Sequence, residues 1–401
     1  MSSCSSIILK NNGNVTFVSN PSITYFKSVY RKHTKFSIDY KEDAAGENFT
    51  TGGGPITIQL NYAADLLCDI SLRVQYKQGP VPPDKSLSIP PDIALYLIKD
   101  ITLNLRGQLD GFDKLDKRYI NFNAMLNNPS PLKATYTVES DGKLTCNNGN
   151  NFQNMALCGG CGVGGETSLS TVQTMDAIIP LPFAFSKSIG TAIPLCALNL
   201  TTMKPLLIIT PADDKGSDTG WTENVSSSFN YSAISKFIFL SDEEISRFKS
   251  ARLEYLYERV VRLTTSTSRG TVNISRLNNK HPIKQIILNR LSGNIKYEMF
   301  INNTGGFSDA INHAFFEKVE ILNKFKGQWI KGRGQSGGVG IIDFSLKNTE
   351  GPSGCISPSN NVINLKITGA EGMESTWSID IYTVCYYLLR ISDGELSYVF
   401  N

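Results

Sequence analysis

Short apolar runs separated by turn residues recur along the whole chain. The run at 66–76 alternates between apolar and polar positions, as a half-buried strand does. The other strand-like runs are 55–60, 93–105, 178–185, 193–200, 205–210, 234–240, 256–263, 272–277, 281–288, 315–322, 341–346, 362–367 and 377–391. Many short strands without long amphipathic helices between them predict an all-β sandwich or barrel.

One short helix interrupts this rhythm near the middle of the chain. Ser241 is followed three residues later by Glu244, which predicts a capping box, and acidic residues precede Arg247 and Lys249 as the helix dipole favours. We therefore predict a helix over 242–252. At 401 residues the chain is long enough for two domains. The predicted division is an arm at 1–19, a first domain at 20–241, a helical linker at 242–253 and a second domain at 254–401.

A weak internal repeat supports two similar halves. The segments 105–109 and 325–329 share the pattern apolar–basic–Gly–Gln–apolar and lie 220 residues apart. Together with the similar strand rhythm of the halves, this repeat indicates a duplication. The polar stretches 127–175, 211–233 and 292–313 predict long surface loops at the ends of the domains.

The segment 20–40 combines a helix entry with a strand. Asn20 is a good N-cap and Pro21 suits the first helical position, after which Ile23, Phe26 and Tyr30 share one helical face. Phe36, Ile38 and Tyr40 then alternate with polar residues, which predicts a half-buried strand. A basic cluster lies between the two parts (Lys27, Arg31, Lys32, His33 and Lys35). Because the net charge is only +3, we interpret this cluster as a solvated face or a protein contact, not a nucleic-acid site.

Three stretches resemble the major capsid proteins of nucleocytoplasmic large DNA viruses, of the algal-virus and iridovirus type. The first is Asn20, Pro21, Ile23, Thr24, Tyr25, Phe26, Lys27, Val29, Tyr30 and Arg31; the second is Phe239, Leu240, Glu244, Arg247 and Phe248; the third is Leu389, Arg390 and Ile391. This resemblance implies two tandem eight-stranded antiparallel jelly rolls joined by a short helix.

The resemblance also implies a function. Three chains would form a pseudo-hexagonal capsomer that tiles an icosahedral shell, with neighbouring capsomers and minor capsid proteins beneath the shell as partners. The chain would be made in the host cytoplasm and end in the virion. Two related roles stay open: a minor capsid paralogue at special positions, and an assembly scaffold. A sugar-binding jelly roll is a third alternative.

The sequence offers little catalytic chemistry. The G-x-S-x-G match at 334–338 and the G-x-G-x-x-G match at 332–337 precede a strand-like run, whereas both motifs need a helix there. Cys158 and Cys161 form a lone CxxC pair, and the three histidines lie far from it. We therefore predict no catalytic, cofactor or metal site and no enzyme activity. We also predict free thiols, no signal peptide and no membrane-spanning segment.

Overall fold

The computed structural model divides the chain into two compact units, residues 1–35 and 36–401. The described residues are 24, 26, 32–46, 54–77, 93–96, 98–105, 112–128, 134–157, 174–212, 228–267, 272–277, 280–289, 295–302, 304–307, 339–346, 352–369 and 377–399. In the first unit the Thr24 hydroxyl oxygen accepts a hydrogen bond from the Phe26 N–H at 3.3 Å. All the strands and helices named below lie in the second unit.

The first half of this unit is a sandwich of two antiparallel sheets. Sheet 1 has the order β1-β11-β3-β8, with the short β9 also on β3, and sheet 2 has the order β2-β10-β4-β5. A separate hairpin pairs β6 with β7. The strands are β1 (Phe36–Ala44), β2 (Ile56–Gln59), β3 (Leu66–Lys77), β4 (Ile98–Leu105), β5 (Asp113–Asp116), β6 (Thr135–Val138), β7 (Leu144–Asn147), β8 (Thr174–Pro180), β9 (Ile193–Pro194), β10 (Pro205–Pro211) and β11 (Ser228–Leu240).

The second half repeats this topology. Sheet 3 has the order β12-β19-β14-β17, with β20 also on β19, and sheet 4 has the order β13-β18-β15-β16. The strands are β12 (Leu253–Thr267), β13 (Val272–Arg276), β14 (Ile283–Asn289), β15 (Ile295–Ile301), β16 (Thr304–Phe307), β17 (Val339–Asp343), β18 (Ile363–Gly369), β19 (Trp377–Ser392) and β20 (Glu395–Tyr398). Apart from the short β9 and β20, each half thus has two sheets of four strands in equivalent order, and the prediction of two eight-stranded jelly rolls is confirmed.

The two halves also share an irregularity. Between β11 and β3 the register shifts so that Cys68 is skipped, and between β19 and β14 it shifts so that Lys284 is skipped. When these two bulges are matched, Asp39 of β1 falls on Arg259 of β12, an offset of 220 residues. Residues 106–109 and 325–329 of the sequence repeat lie outside the described residues. A bulge at the same place in both halves favours the predicted duplication.

Alternation explains why β3 forms the centre of sheet 1. Ile70, Leu72, Val74 and Tyr76 are buried on one face of β3, and polar residues occupy the other.

Two predicted strands are shorter than expected. The run 93–105 is a helical turn followed by β4, and the run 193–200 is β9 followed by a 3₁₀ turn, because Pro194 cannot donate a ladder hydrogen bond. The helices are α1 (Ile93–Tyr96), α2 (Lys117–Asn127), α3 (Asn151–Ala156) and α4 (Asp242–Ser250), with 3₁₀ turns at Ala184–Lys187, Ile189–Thr191 and Leu195–Ala197.

Helix α4 connects the two jelly rolls, and its caps differ from the prediction. Ser241 is the N-cap, but its side chain accepts no capping hydrogen bond, so the predicted capping box with Glu244 is wrong. The helix ends at Ser250 because Ala251 is already extended, two residues before β12 begins. Phe248 fixes the helix to sheet 1 by packing against a small apolar cluster that includes Leu66, Cys68 and Ile238.

Much of the predicted loop at 127–175 is ordered structure. Residues 134–157 form the β6–β7 hairpin and α3, and they bury Leu144, Phe152 and Leu157 in the main core. Helix α3 does have a complete capping box, in which Asn150 and Gln153 bond reciprocally. The polar composition concealed these few buried residues. Similarly, β11 begins inside the predicted 211–233 loop, and β15 and β16 occupy part of 292–313.

Strand β1 forms as predicted, but its apolar face is exposed. Phe36, Ile38 and Tyr40 are 53%, 46% and 63% exposed, because β1 is an edge strand and this face points away from sheet 2. Phe26, which we placed on the apolar face of the predicted N-terminal helix, is 99% exposed. Ile23 and Tyr30 lie outside the described residues. Apolar alternation therefore predicted the strand correctly and its burial wrongly.

The described helices include none that is long and apolar enough to cross a membrane. Among the described cysteines, residues 68, 146, 196 and 355 have free thiols. The motifs at 158–161 and 332–338 lie outside the described residues.

Candidate functional site: the joint between the two jelly rolls

One apolar core extends from the first jelly roll into the second. It contains the core of the first half together with side chains of β12 and β19, whereas much of the second half's interior forms a separate cluster. Phe112, just before β5, meets Tyr257 of β12 edge-on at 5.6 Å between ring centroids. Phe122 of α2 meets Tyr382 of β19 edge-on at 6.2 Å. The two halves therefore share one apolar core, whereas separate domains usually meet through a more polar interface.

Hydrogen bonds from two buried tyrosines also cross this apolar joint. The Tyr257 hydroxyl donates to the Thr191 carbonyl at 3.0 Å, and the Tyr398 hydroxyl donates to the Phe112 carbonyl at 3.1 Å. Burial raises the pKa of Tyr257 well above its ordinary value and that of Tyr398 to about 12. Both phenols therefore stay protonated as donors at neutral pH.

Asp380 of β19 is the centre of the first charged cluster. Its carboxylate is 1% exposed and accepts hydrogen bonds from Arg118 of α2, from Arg262 Nε of β12 at 2.9 Å and from the Thr264 hydroxyl at 3.0 Å. Arg262 also donates to Asp116 at 2.7 Å, and Asp116 accepts the Tyr382 hydroxyl at 2.8 Å. Burial by itself would lower the pKa of Arg262. The nearby carboxylates of Asp116 and Asp380 outweigh that effect, so the pKa is raised. Two acids and two arginines from both halves are thus interleaved.

Glu258 of β12 is the centre of the second cluster. Its carboxylate oxygens accept bonds from Lys187 of the first half at 2.7 Å and from Lys284 of β14 at 2.6 Å. The Lys284 side chain is only 4% exposed. Burial by itself would raise the pKa of Glu258, but the two ammonium groups overcome this effect and lower it. Lys284 is the skipped residue of the β14 bulge, so the bulge aims a buried cation at the joint.

Asp113 of β5 is the third acid at the joint. It is fully buried, accepts the Ala184 N–H at 2.8 Å and lies 3.9 Å from the Arg259 guanidinium. Burial raises the pKa of Asp113, and Arg259 offsets only part of that rise. Arg259 also lies 4.7 Å from the ring centre of Tyr387, on which His281 stacks. Burial, then Arg259 and Lys280, lower the pKa of His281.

A groove of about 730 Å³ opens beside these clusters. Its described lining comes from both halves and includes Tyr119, Lys187, Tyr255, Glu258 and Lys284. Its two lining acids are engaged, since Glu258 holds the two lysines and Glu254 pairs with Arg390 at 2.8 Å. Among the described residues, no group of three or more His, Cys, Asp or Glu side chains is placed to hold a metal ion.

The joint contains none of the candidate residues that we selected from the sequence and that the structure describes. Of the signature positions only Thr24 and Phe26 are described, and Asn20, Pro21, Ile23, Lys27, Tyr30 and Arg31 lie outside the described residues. Ser241, Glu244, Arg247 and Phe248 lie on or next to α4, in none of the three clusters. A signal for the clusters existed: Glu258, Arg259, Arg262 and Asp380 are charges within otherwise apolar strands. The sequence could not pair them, because their partners in the first jelly roll lie between 71 and 262 residues away.

Comparison with known proteins assigns the fold a family. A family model described as the major capsid protein N-terminus matches residues 24–228, slightly more than half of the chain. The chain belongs to this major capsid protein family. The major capsid protein of Pyramimonas orientalis virus is 25% identical over 94% of this chain and 93% of its own length.

Solved capsid structures share the fold. A chain of the quasi-atomic model of the PBCV-1 virus capsid has a TM-score of 0.70 at 20% identity, covering 94% of this chain and all of its own. The Faustovirus major capsid protein has a TM-score of 0.64 at 12% identity, covering 92% and 93%. The resemblance noted in the sequence is therefore confirmed. In this capsid family member, the joint is what makes two jelly rolls one building unit.

Proposed function

We propose that this chain is a structural capsid protein, three copies of which form a pseudo-hexagonal capsomer that tiles an icosahedral shell. The observation that carries the proposal is the shared core between the jelly rolls, reinforced by three buried charge clusters. Two similar barrels held in one unit supply two of six similar positions, and three chains supply all six.

The energetic character of the joint fits a shell component. Large apolar contact is typical of permanent interfaces, whereas the buried acids and bases fix one orientation of the halves. A hinged enzyme would need a joint that opens, but opening this one would break the ion pairs that cross it, Arg118–Asp380, Lys187–Glu258 and Asp116–Arg262. We propose that the chain acts by geometry and has no catalytic activity.

Several finer points extend the proposal. The arm at 1–19 and the signature segment 20–31 would contact minor capsid proteins beneath the shell, and synthesis would occur in the host cytoplasm. Because Phe26 is exposed, Phe26→Asp should leave the thermal midpoint unchanged and weaken assembly instead. The division at 20–241, 242–253 and 254–401 is proposed on the position of α4 between β11 and β12.

Quantitative mass spectrometry of purified virions tests the role directly. A chain that dominates the particle by mass is the shell protein. A chain at a few per cent of the mass is a minor capsomer component. A chain that is abundant in infected cells and missing from virions is a scaffold, and that result would refute the proposal.

A further inference from the structure

The outer face of β1 has a structural counterpart inside the same chain. We define the β1 face as Phe36, Ile38, Tyr40 and Glu42, and the β12 face as Leu256, Glu258, Val260 and Arg262. The matched bulges align the two faces residue by residue. Both faces point away from the interior of their own jelly roll, since the β11 and β19 residues that pack inside each jelly roll, such as Ala233, Phe237, Ile379 and Ile381, lie on the opposite side.

A cross-strand contact recurs at the same place in both faces. Glu42 accepts a hydrogen bond from the Ser232 hydroxyl of β11 at 2.5 Å. At the equivalent positions, Arg262 donates to Asp380 of β19 at 2.9 Å. The equivalence therefore extends beyond backbone register to side chains that bridge the same two strands.

The two faces differ in what covers them. The β12 face lies against the first jelly roll, where Glu258 binds Lys187, Arg262 binds Asp116 and Val260 packs on the shared core. On the β1 face, Ile38 and Tyr40 are 46% and 63% exposed. Glu42, at the polar end of the β1 face, is already paired, because Arg73 lies 3.2 Å from it and 2.6 Å from Asp176. Ile38 and Tyr40 are exposed on an edge strand, and proteins ordinarily protect such a strand.

We propose that the β1 face docks the second jelly roll of another copy of this chain, in the way that the β12 face docks the first jelly roll within the chain. The inference rests on the proposed trimeric capsomer and names its contact surface. A head-to-tail contact forms a closed ring when the same contact repeats between successive units. Inside one chain this contact is made once, where the β12 face of the second jelly roll lies against the first jelly roll. In a ring in which first and second jelly rolls alternate, the same contact must also form between chains, and the β1 face would make it.

Ile38→Lys tests the assignment, with Met155→Lys as the matched control. Met155 on α3 is 39% exposed, so both variants add one positive charge at a similarly exposed apolar position. Each full-length protein is measured by light scattering after size exclusion and by native mass spectrometry over a dilution series. We expect Ile38→Lys to weaken each contact about tenfold or more and to shift trimers toward folded monomers. Met155→Lys should remain trimeric.

The outcomes separate the surface from the function. A trimeric wild type with an equally stable Ile38→Lys trimer overturns the assignment and leaves the proposed function standing. A wild type that stays monomeric at all concentrations overturns both. Circular dichroism of the variant confirms that it is folded, which the exposure of Ile38 leads us to expect.

A photo-crosslinking amino acid at position 40 identifies the occupant. Wild-type assemblies are formed from equal amounts of ¹⁴N- and ¹⁵N-labelled chains, crosslinked and digested. Mixed-isotope products that link position 40 to residues 253–401 support the proposal. Products of a single isotope that link it to residues 1–35 mean that the chain's own N-terminal segment covers the face. Mixed-isotope products that link it to residues 36–240 mean a symmetric contact between first jelly rolls, and either result overturns the proposal.

Discussion

Asp380 offers a direct test of how the two halves are joined. The substitution Asp380→Asn keeps the shape of the side chain and removes its charge. Asp380 is 1% exposed, and it accepts bonds from two arginines, one in each jelly roll, and from Thr264. The asparagine can still accept through one oxygen, but its amide nitrogen would point a donor at a guanidinium.

The size of the effect follows from the exposure of the partners. Removing one member of a fully buried ion pair costs about 3–5 kcal/mol, whereas exposed pairs are worth about 0–1 kcal/mol. The side chains of Arg118 and Arg262 are 44% and 37% exposed, so water can partly rehydrate them after the substitution. We therefore expect a loss of about 2–3 kcal/mol in the free energy of unfolding.

Thermal unfolding measures this loss. Because one core spans both halves, residues 36–401 should unfold in one transition. An unfolding entropy of about 2.1 cal/mol/K per residue makes about 2–3 kcal/mol equivalent to a midpoint lower by about 3–4 °C. Glu395→Gln, an exposed acid on β20, should change the midpoint by less than about 1 °C. An Asp380→Asn midpoint equal to that of wild type would refute the reasoning, as would two separate transitions in the wild type.

Three further substitutions test individual parts of the fold. His281 has a pKa below its ordinary 6.5, so stability should fall as pH drops below about 6.5; His281→Phe should flatten this fall between about pH 7.5 and 5.5 in thermal melts, and an unchanged slope would contradict it. A Cβ at Gly354 would lie 2.3 Å from the Phe344 carbonyl oxygen, so Gly354→Ala should cost about 1–3 kcal/mol in urea titrations, with Gly46→Ala, which meets open space, as control. Phe152→Ala should cost about 3 kcal/mol, whereas a silent substitution would mean that 134–157 is dispensable.

Strand rhythm, turn residues and the mid-chain helix were readable from the sequence because each depends on local pattern. The alternation of β3 and the helix signals after Ser241 predicted elements that form. Local pattern was less reliable about side-chain partners. Ser241 and Glu244 have the spacing of a capping box without forming one, while Asn150 and Gln153 form one in a stretch that composition marked as a loop.

Burial was harder to predict because it depends on what the rest of the chain covers. Tyr40 and Val260 occupy equivalent positions on equivalent strands, and either could belong to a half-buried strand. Val260 packs on the shared core because the first jelly roll lies over it, whereas Tyr40 is 63% exposed. The charged clusters of the joint were unpredictable for the same reason. Glu258 and Lys187 are 71 residues apart in the sequence, and they meet only where the two jelly rolls lie against each other.

The duplication accounts for both the joint and the exposed face. Two copies of one fold begin with two equivalent outer faces, and joining the copies in series covers only one of them. The covered face has acquired charges that need matched partners, such as Glu258 and Arg262. The β1 face has kept apolar residues at Ile38 and Tyr40 beside a charge set that is already closed. The β1 face can therefore bind and release a partner without leaving a buried charge unpaired. This property suits a contact that forms only when separate chains meet.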